Sequence, residues 1–186
     1  MKKILWVFTL FFLTLSLKAP PLTEETVSYQ RAVTEAYNKK ESFLLSLNTL
    51  SFTRNNFMQA MIYMDIKHPE ILFKQVIVES ANFSSNFWVN YNNPYGMHYP
   101  KDRKTTASSY VSGDPNKGVY YRLSVFDHWS LAILDMKYFQ DYWISKGWKI
   151  EEVEDYFIFL RDLPYATASH YGETVNSIIL SDYINI

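Results

Sequence analysis

Chain breakers are spread unevenly along the 186 residues, and that distribution constrains the fold more than any single motif. Residues 23–47 contain good helix formers and neither Gly nor Pro, and residues 54–64 repeat the pattern after Thr53, a residue suited to an N-cap. Pro69 then fits a first helical position, Glu70 complements the dipole in the first turn, and residues 71–83 continue without a breaker. Between 84 and 122 the character changes. Asn92-Asn93-Pro94 and Ser112-Gly113-Asp114-Pro115 are turn signals, and a small hairpin is expected around 119–125.

Helical patterning resumes beyond this block. Asp127 reads as an N-cap, with Phe126 and Leu131 at the two positions of a hydrophobic staple, and its helix runs to about 145 before Gly147. Two further helices are expected, over 150–161 and 169–183, divided by Leu163-Pro164-Tyr165. The fold class is therefore mostly α (α+β), with one loop-rich insertion between the third and fourth of these helices. No internal repeat or long linker interrupts the chain, so residues 20–186 are expected to form one domain, with a helical extension at about 22–48.

Composition removes several function classes. An apolar content of 48% supports a real core, while 18 basic against 19 acidic residues give no electrostatic footprint for nucleic acid. The absence of cysteine excludes disulfides, thiolate nucleophiles, cysteine-ligated metal centres and a lipid-modified cysteine. His68, His98, His128 and His170 show no HExxH or comparable spacing, so neither a metal nor another cofactor is expected. Met1-Lys2-Lys3 followed by the uncharged run 4–17 resembles a secretory signal peptide, with Ala19 ahead of Pro20-Pro21 as the small residue for cleavage. The run is shorter than the roughly 20 apolar residues that span a bilayer. Residues 1–19 are therefore expected to be removed, leaving no permanent membrane anchor and a periplasmic or secreted protein.

One carboxylate stands out on the third helix. Leu72, Gln75, Val76, Glu79 and Phe83 recur at steps of three and four, which puts Glu79 on an apolar face. Desolvation there disfavours the charged form, and a carboxyl kept protonated near neutrality can act as a general acid toward a glycosidic oxygen.

The surrounding residues carry a family resemblance. Glu79-Ser80-Ala81 and Asn92-Asn93-Pro94-Tyr95-Gly96 are followed by Lys104-Thr105-Thr106-Ala107, the stretch 121–129 and Leu163-Pro164-Tyr165-Ala166-Thr167. In that order they resemble the glucosaminidase family of bacterial peptidoglycan hydrolases, glycoside hydrolase family 73, over roughly 53–179. The resemblance implies a lysozyme-like fold, a helical lobe whose hairpin insertion forms a substrate cleft. It also implies cleavage of the β-1,4 bond between N-acetylglucosamine and N-acetylmuramic acid in peptidoglycan glycan strands. Glu79 matches the family's catalytic acid and Tyr165 the tyrosine of its Tyr-Ala-Thr motif. Asn93, Tyr95 and Gly96 match the motif that shapes the cleft wall, and together with His98 in the same segment they are the expected substrate-binding residues.

The chain departs from the family pattern at three places. Ala81 stands where the family has Gly, which restricts the backbone there, and Ala168-Ser169 replaces Asp-Pro before the last helix. The second acid that many members carry in the insertion is missing, since that region reads Thr106-Ala107-Ser108-Ser109. Asp102 and Asp114 are the nearest carboxylates. Asp114 is a candidate second catalytic residue, although its Ser-Gly-Asp-Pro context reads first as a turn. Inversion needs a second carboxylate at about 6.5–9.5 Å, whereas assistance by the sugar's 2-acetamido group needs none, so substrate assistance is favoured. The competing readings are a lytic transglycosylase and a catalytically silent peptidoglycan-binding module. Tyr91, Tyr95, Tyr99, Tyr110, Tyr120 and Tyr121 crowd the insertion and are read mostly as packing, as are Trp88, Trp129, Trp143 and Trp148.

Overall fold

A computed structural model describes residues 24–117, 119–163 and 171–184. The chain divides after Lys39 into two units. The first contributes, among its described residues, only the opening turns of helix α1 (Glu24–Ser46), so the expected extension is helical and the division falls inside it. No helix among the described residues is long and apolar enough to cross a membrane.

The second unit holds the remaining elements. They are α2 (Arg54–Tyr63), α3 (Pro69–Glu79), α4 (Asn86–Tyr91), β1 (Ser109–Ser112), β2 (Arg122–Val125), α5 (Trp129–Ser145), α6 (Val153–Asp162) and α7 (Tyr171–Ser177). Short 3-10 turns add Leu47–Thr49, Pro115–Lys117 and Leu180–Asp182. The result is the mostly helical α+β arrangement expected from the breaker pattern, with one antiparallel pair of strands in the insertion among the described residues.

α2 begins where its cap predicts, the Thr53 hydroxyl accepting from Asn56 N at 3.0 Å. α3 lies between α2 and α7. Its Leu72, Phe73 and Val76 join Phe57, Met61, Phe126, Trp129, Ile133 and Met136 in the main core. Burying each such side chain contributes about 1.5–3 kcal/mol, which anchors α3 firmly in the core. A second cluster of Ile150, Tyr156, Phe159 and Leu160 fixes α6.

Several elements differ from expectation: the hairpin's first strand lies at Ser109–Ser112, ahead of the expected 119–125, and α6 starts at Val153 rather than at 150. α3 stops at Glu79 rather than at Phe83, because Ala81, Asn82 and Phe83 all have left-handed φ of 48°, 56° and 63°. α5 is capped by His128 and not by Asp127: Ser130 N donates to His128 Nδ1 at 3.3 Å, while Asp127 accepts the Ser108 hydroxyl at 2.7 Å. α4 is an extra helix within the expected loop block, started by the Ser85 cap and held by the buried Trp88. α7 is shorter than the helix expected over 169–183. It ends before the β-branched pair Ile178-Ile179, and residues 169 and 170 lie outside the described residues.

β1 pairs with β2 in the register Tyr110↔Ser124 and Val111↔Leu123. The segment after α4 lines up on the other side of β2, where His98 bridges Leu123 and Tyr99 N donates to Arg122 O at 2.7 Å. Arg122 lies over the Tyr110 ring at 4.0 Å and the Tyr99 ring at 5.4 Å, so these two tyrosines brace the hairpin.

Candidate functional site

Glu79 is the last residue of α3, and the turn after it fixes where its carboxyl sits. Asn82 N donates to Ile77 O at 2.8 Å and Ala81 N to Val78 O at 3.3 Å, the paired bonds of a Schellman cap with Ala81 at the left-handed position. That position is where the family has Gly, and an alanine there carries a steric cost of about 1–2 kcal/mol. Ser80, fully buried, returns its hydroxyl to Val76 O at 2.6 Å and accepts from Phe83 N at 2.8 Å. Arg54 on α2 donates to Asn82 Oδ1 at 2.7 Å. The helix end is therefore pinned from three sides.

Burial pushes the Glu79 carboxyl above the usual carboxylate range, and a hydrogen bond from Tyr171 offsets part of that rise. The negative end of the α3 dipole acts in the same direction as burial. Both effects favour a proton on Glu79, as the apolar face predicted.

The segment 92–99 runs beside the carboxyl at Gly96. Asn93 is 1% exposed, and all of its side-chain polar atoms are engaged. Its Nδ2 donates to Met97 O at 2.9 Å and Ser124 O at 3.0 Å, and its Oδ1 accepts from Met97 N at 2.9 Å. Tyr95 is 1% exposed, with its hydroxyl 3.5 Å from Met61 Sδ. The expectation that Asn93 and Tyr95 contact substrate is thereby corrected: both are interior, and they hold the wall rather than face it. Gly96 has φ +63°, and a Cβ at this position would stand 3.7 Å from Glu79 Oε2. A longer side chain would be strained by the backbone and would crowd the acid. His98 is exposed and reaches the open space beyond Gly96.

That open space is a cleft of about 480 Å³. One side runs from Gly96 through His98, Lys101, Asp102 and Arg103, and the other is built by Phe139, Tyr142, Trp143 and Leu163. Trp143, expected in packing, contributes to the cleft lining as well. A groove lined by both aromatic rings and polar groups suits a sugar chain, whose rings have apolar faces and hydroxyl edges.

The Lys104-Thr105-Thr106-Ala107 stretch has a mechanical role. Arg103 forms a bidentate pair with Asp135 on α5, at 3.1 and 2.7 Å, with both side chains buried. Thr106 adds its N–H to Asp135 Oδ1 at 3.1 Å and its hydroxyl to Leu131 O at 2.6 Å. The insertion is thus clamped to the helical lobe beside the cleft.

Asp114 occupies the hairpin turn. Its carboxylate accepts from Asn116 N at 3.0 Å and pairs with Lys117 at 3.4 Å, both in exposed surroundings. Tyr165 lies outside the described residues. Two residues near the acid were not legible beforehand: Tyr171 as a partner of Glu79, and Tyr156, which donates to Gln75 Oε1 at 3.0 Å. The signal that could have found them is Gln75 itself, a polar side chain on an apolar face that needs buried partners.

Comparison with known proteins gives two matches. Residues 54–183 match the family model named Glucosaminidase, described as mannosyl-glycoprotein endo-β-N-acetylglucosaminidase. Among solved structures, the chain is similar to the catalytic domain of the autolysin Auto from Listeria monocytogenes. The identity is 19% and the TM-score 0.45, with 89% of this chain and 97% of that one covered. No curated protein gives a significant match.

Proposed function

Because the chain belongs to the glucosaminidase family, we propose that it is a peptidoglycan hydrolase, an endo-β-N-acetylglucosaminidase acting between N-acetylglucosamine and N-acetylmuramic acid. The observation that carries this reading is a half-buried carboxyl with an elevated pKa at the end of α3, next to the glycine that also lines the cleft. A glycan strand in that cleft would bring a glycosidic oxygen to Glu79, which donates its proton to the leaving group. Asn93 and Tyr95 keep the wall in place, while Gly96 and His98 border the sugar.

The second half of the reaction is assigned to the substrate. With Asp114 committed to its turn, the 2-acetamido oxygen attacks the anomeric carbon, water then opens the ring it forms, and configuration is retained. Tyr165 is proposed to stabilise the charge that develops. Glu79→Gln should keep the fold and lower turnover by about 10²–10⁴-fold, since an amide cannot deliver the proton. Asp114→Asn should cost little, with retained anomers seen by NMR immediately after cleavage. Wild-type turnover in Glu79→Gln, or inverted products with a large loss in Asp114→Asn, would overturn the mechanism.

Residues 1–19 are proposed to direct export, which agrees with a substrate in the cell envelope. N-terminal sequencing of the exported protein should begin near Pro20; retention of Met1 would contradict removal.

A further inference from the structure

We propose that Tyr171 is a positioning residue for Glu79, locked as a one-way hydrogen-bond donor by a buried chain of side chains that starts at the backbone of Lys67. The inference rests on the function proposed above and concerns what holds its acid. Lys67 N donates to Gln140 Oε1 at 2.8 Å, and Gln140 Nε2 donates back to Lys67 O at 3.0 Å. These two bonds fix which end of the amide is which. The same amide donates to the Tyr156 hydroxyl, whose own proton goes to Gln75 Oε1 at 3.0 Å. Gln75 is thereby oriented with its NH₂ toward Tyr171, and donates to that hydroxyl at 3.2 Å. Having accepted from Gln75, Tyr171 presents its proton to the Glu79 carboxyl.

Reversing the Gln140 amide would set donor against donor and acceptor against acceptor at Lys67, and the links beyond it run in the direction that lets each amide and hydroxyl both donate and accept. Gln75, Gln140 and Tyr156 are all at most 2% exposed, so water is not there to repair a mismatch. Gln75 and Glu79 are one helical turn apart on α3, and Tyr171 opens α7, so the chain joins α5, α6, α3 and α7 at the acid. The consequence is a carboxyl whose rotation is restrained and whose ionised form is better tolerated than burial alone would allow.

The sign of the pH effect follows. A general acid works protonated, so activity falls as pH rises through its pKa. Tyr171 lowers that pKa, and removing it should move the falling limb to higher pH. Among the described residues, the other ionisable group coupled to this pair is Tyr156, which burial holds neutral and which is present in both proteins, so it drops out of the comparison.

The test uses Tyr171→Phe, Gln75→Met and the double variant in the full chain, with peptidoglycan as substrate. Tyr171→Phe should lower kcat by about ten- to a hundredfold with little change in KM, as expected when a reacting group is misplaced. It should also move the basic limb upward. Gln75→Met should do the same to a smaller extent, and the double variant should match Tyr171→Phe, because both act through one bond. Glu79 titration followed by carboxyl NMR, in wild type and Tyr171→Phe, reads the same interaction without catalysis. It therefore separates this inference from the proposed function. A Glu79 titration unmoved by Tyr171→Phe, or additive effects of the two substitutions, would overturn the inference.

Discussion

Glu79, Ala81 and Gly96 show how three residues at one helix end and the loop beside it set the chemistry available here. The acid owes its raised pKa first to burial, and the neighbouring glycine leaves space beside its carboxyl. Ala81 works against the same turn, because its φ of 48° is a conformation that an L side chain resists. Ala81→Gly should therefore stabilise the protein by about 0.5–1 kcal/mol, after the larger unfolded-state entropy of glycine is deducted from the relieved strain. Thermal unfolding would show this as a higher Tm, and an unchanged or lower Tm would mean that the turn is not strained as described. The burial of the Glu79 carboxyl was legible in the sequence because the residue falls at helical period on an apolar face, while its candidacy as the acid came from the motifs around it. The role of Tyr171 was not, since it is 96 positions from Gln75 and no local pattern links them.

At the scale of elements, the absence of breakers made the helices readable, while their ends depended on competition among neighbours. Thr53 caps α2 as anticipated, yet Asp127 lost the α5 cap to His128 because the Ser108 hydroxyl took its carboxylate. The end of α3 was hidden for a related reason: Ala, Asn and Phe adopt a backbone that sequence rules reserve mainly for glycine. Asn93 and Tyr95 were found as residues of the wall, but their burial, which makes them supports rather than contacts, emerges only when the 92–99 segment lies against β2. The buried Arg103–Asp135 pair was likewise invisible, joining the insertion to α5 across 32 positions. It explains how a loop-rich segment can hold one edge of a cleft in register with the helical lobe.

Taken as a whole molecule, the second unit is a helical lobe with a hairpin insertion and a cleft lined by aromatic and polar residues, and it belongs to the glucosaminidase family. The fold class followed from the pattern of residues. The insertion's internal bracing did not, because it is built from nonlocal hydrogen bonds. The central claim is that this cleft and Glu79 together cut peptidoglycan after N-acetylglucosamine. Mass spectrometry of fragments released from purified peptidoglycan tests it most directly. The account predicts fragments with reducing N-acetylglucosamine ends, absent with Glu79→Gln; 1,6-anhydro-N-acetylmuramic ends would instead indicate a transglycosylase, and no release at all a binding module, either of which would contradict it.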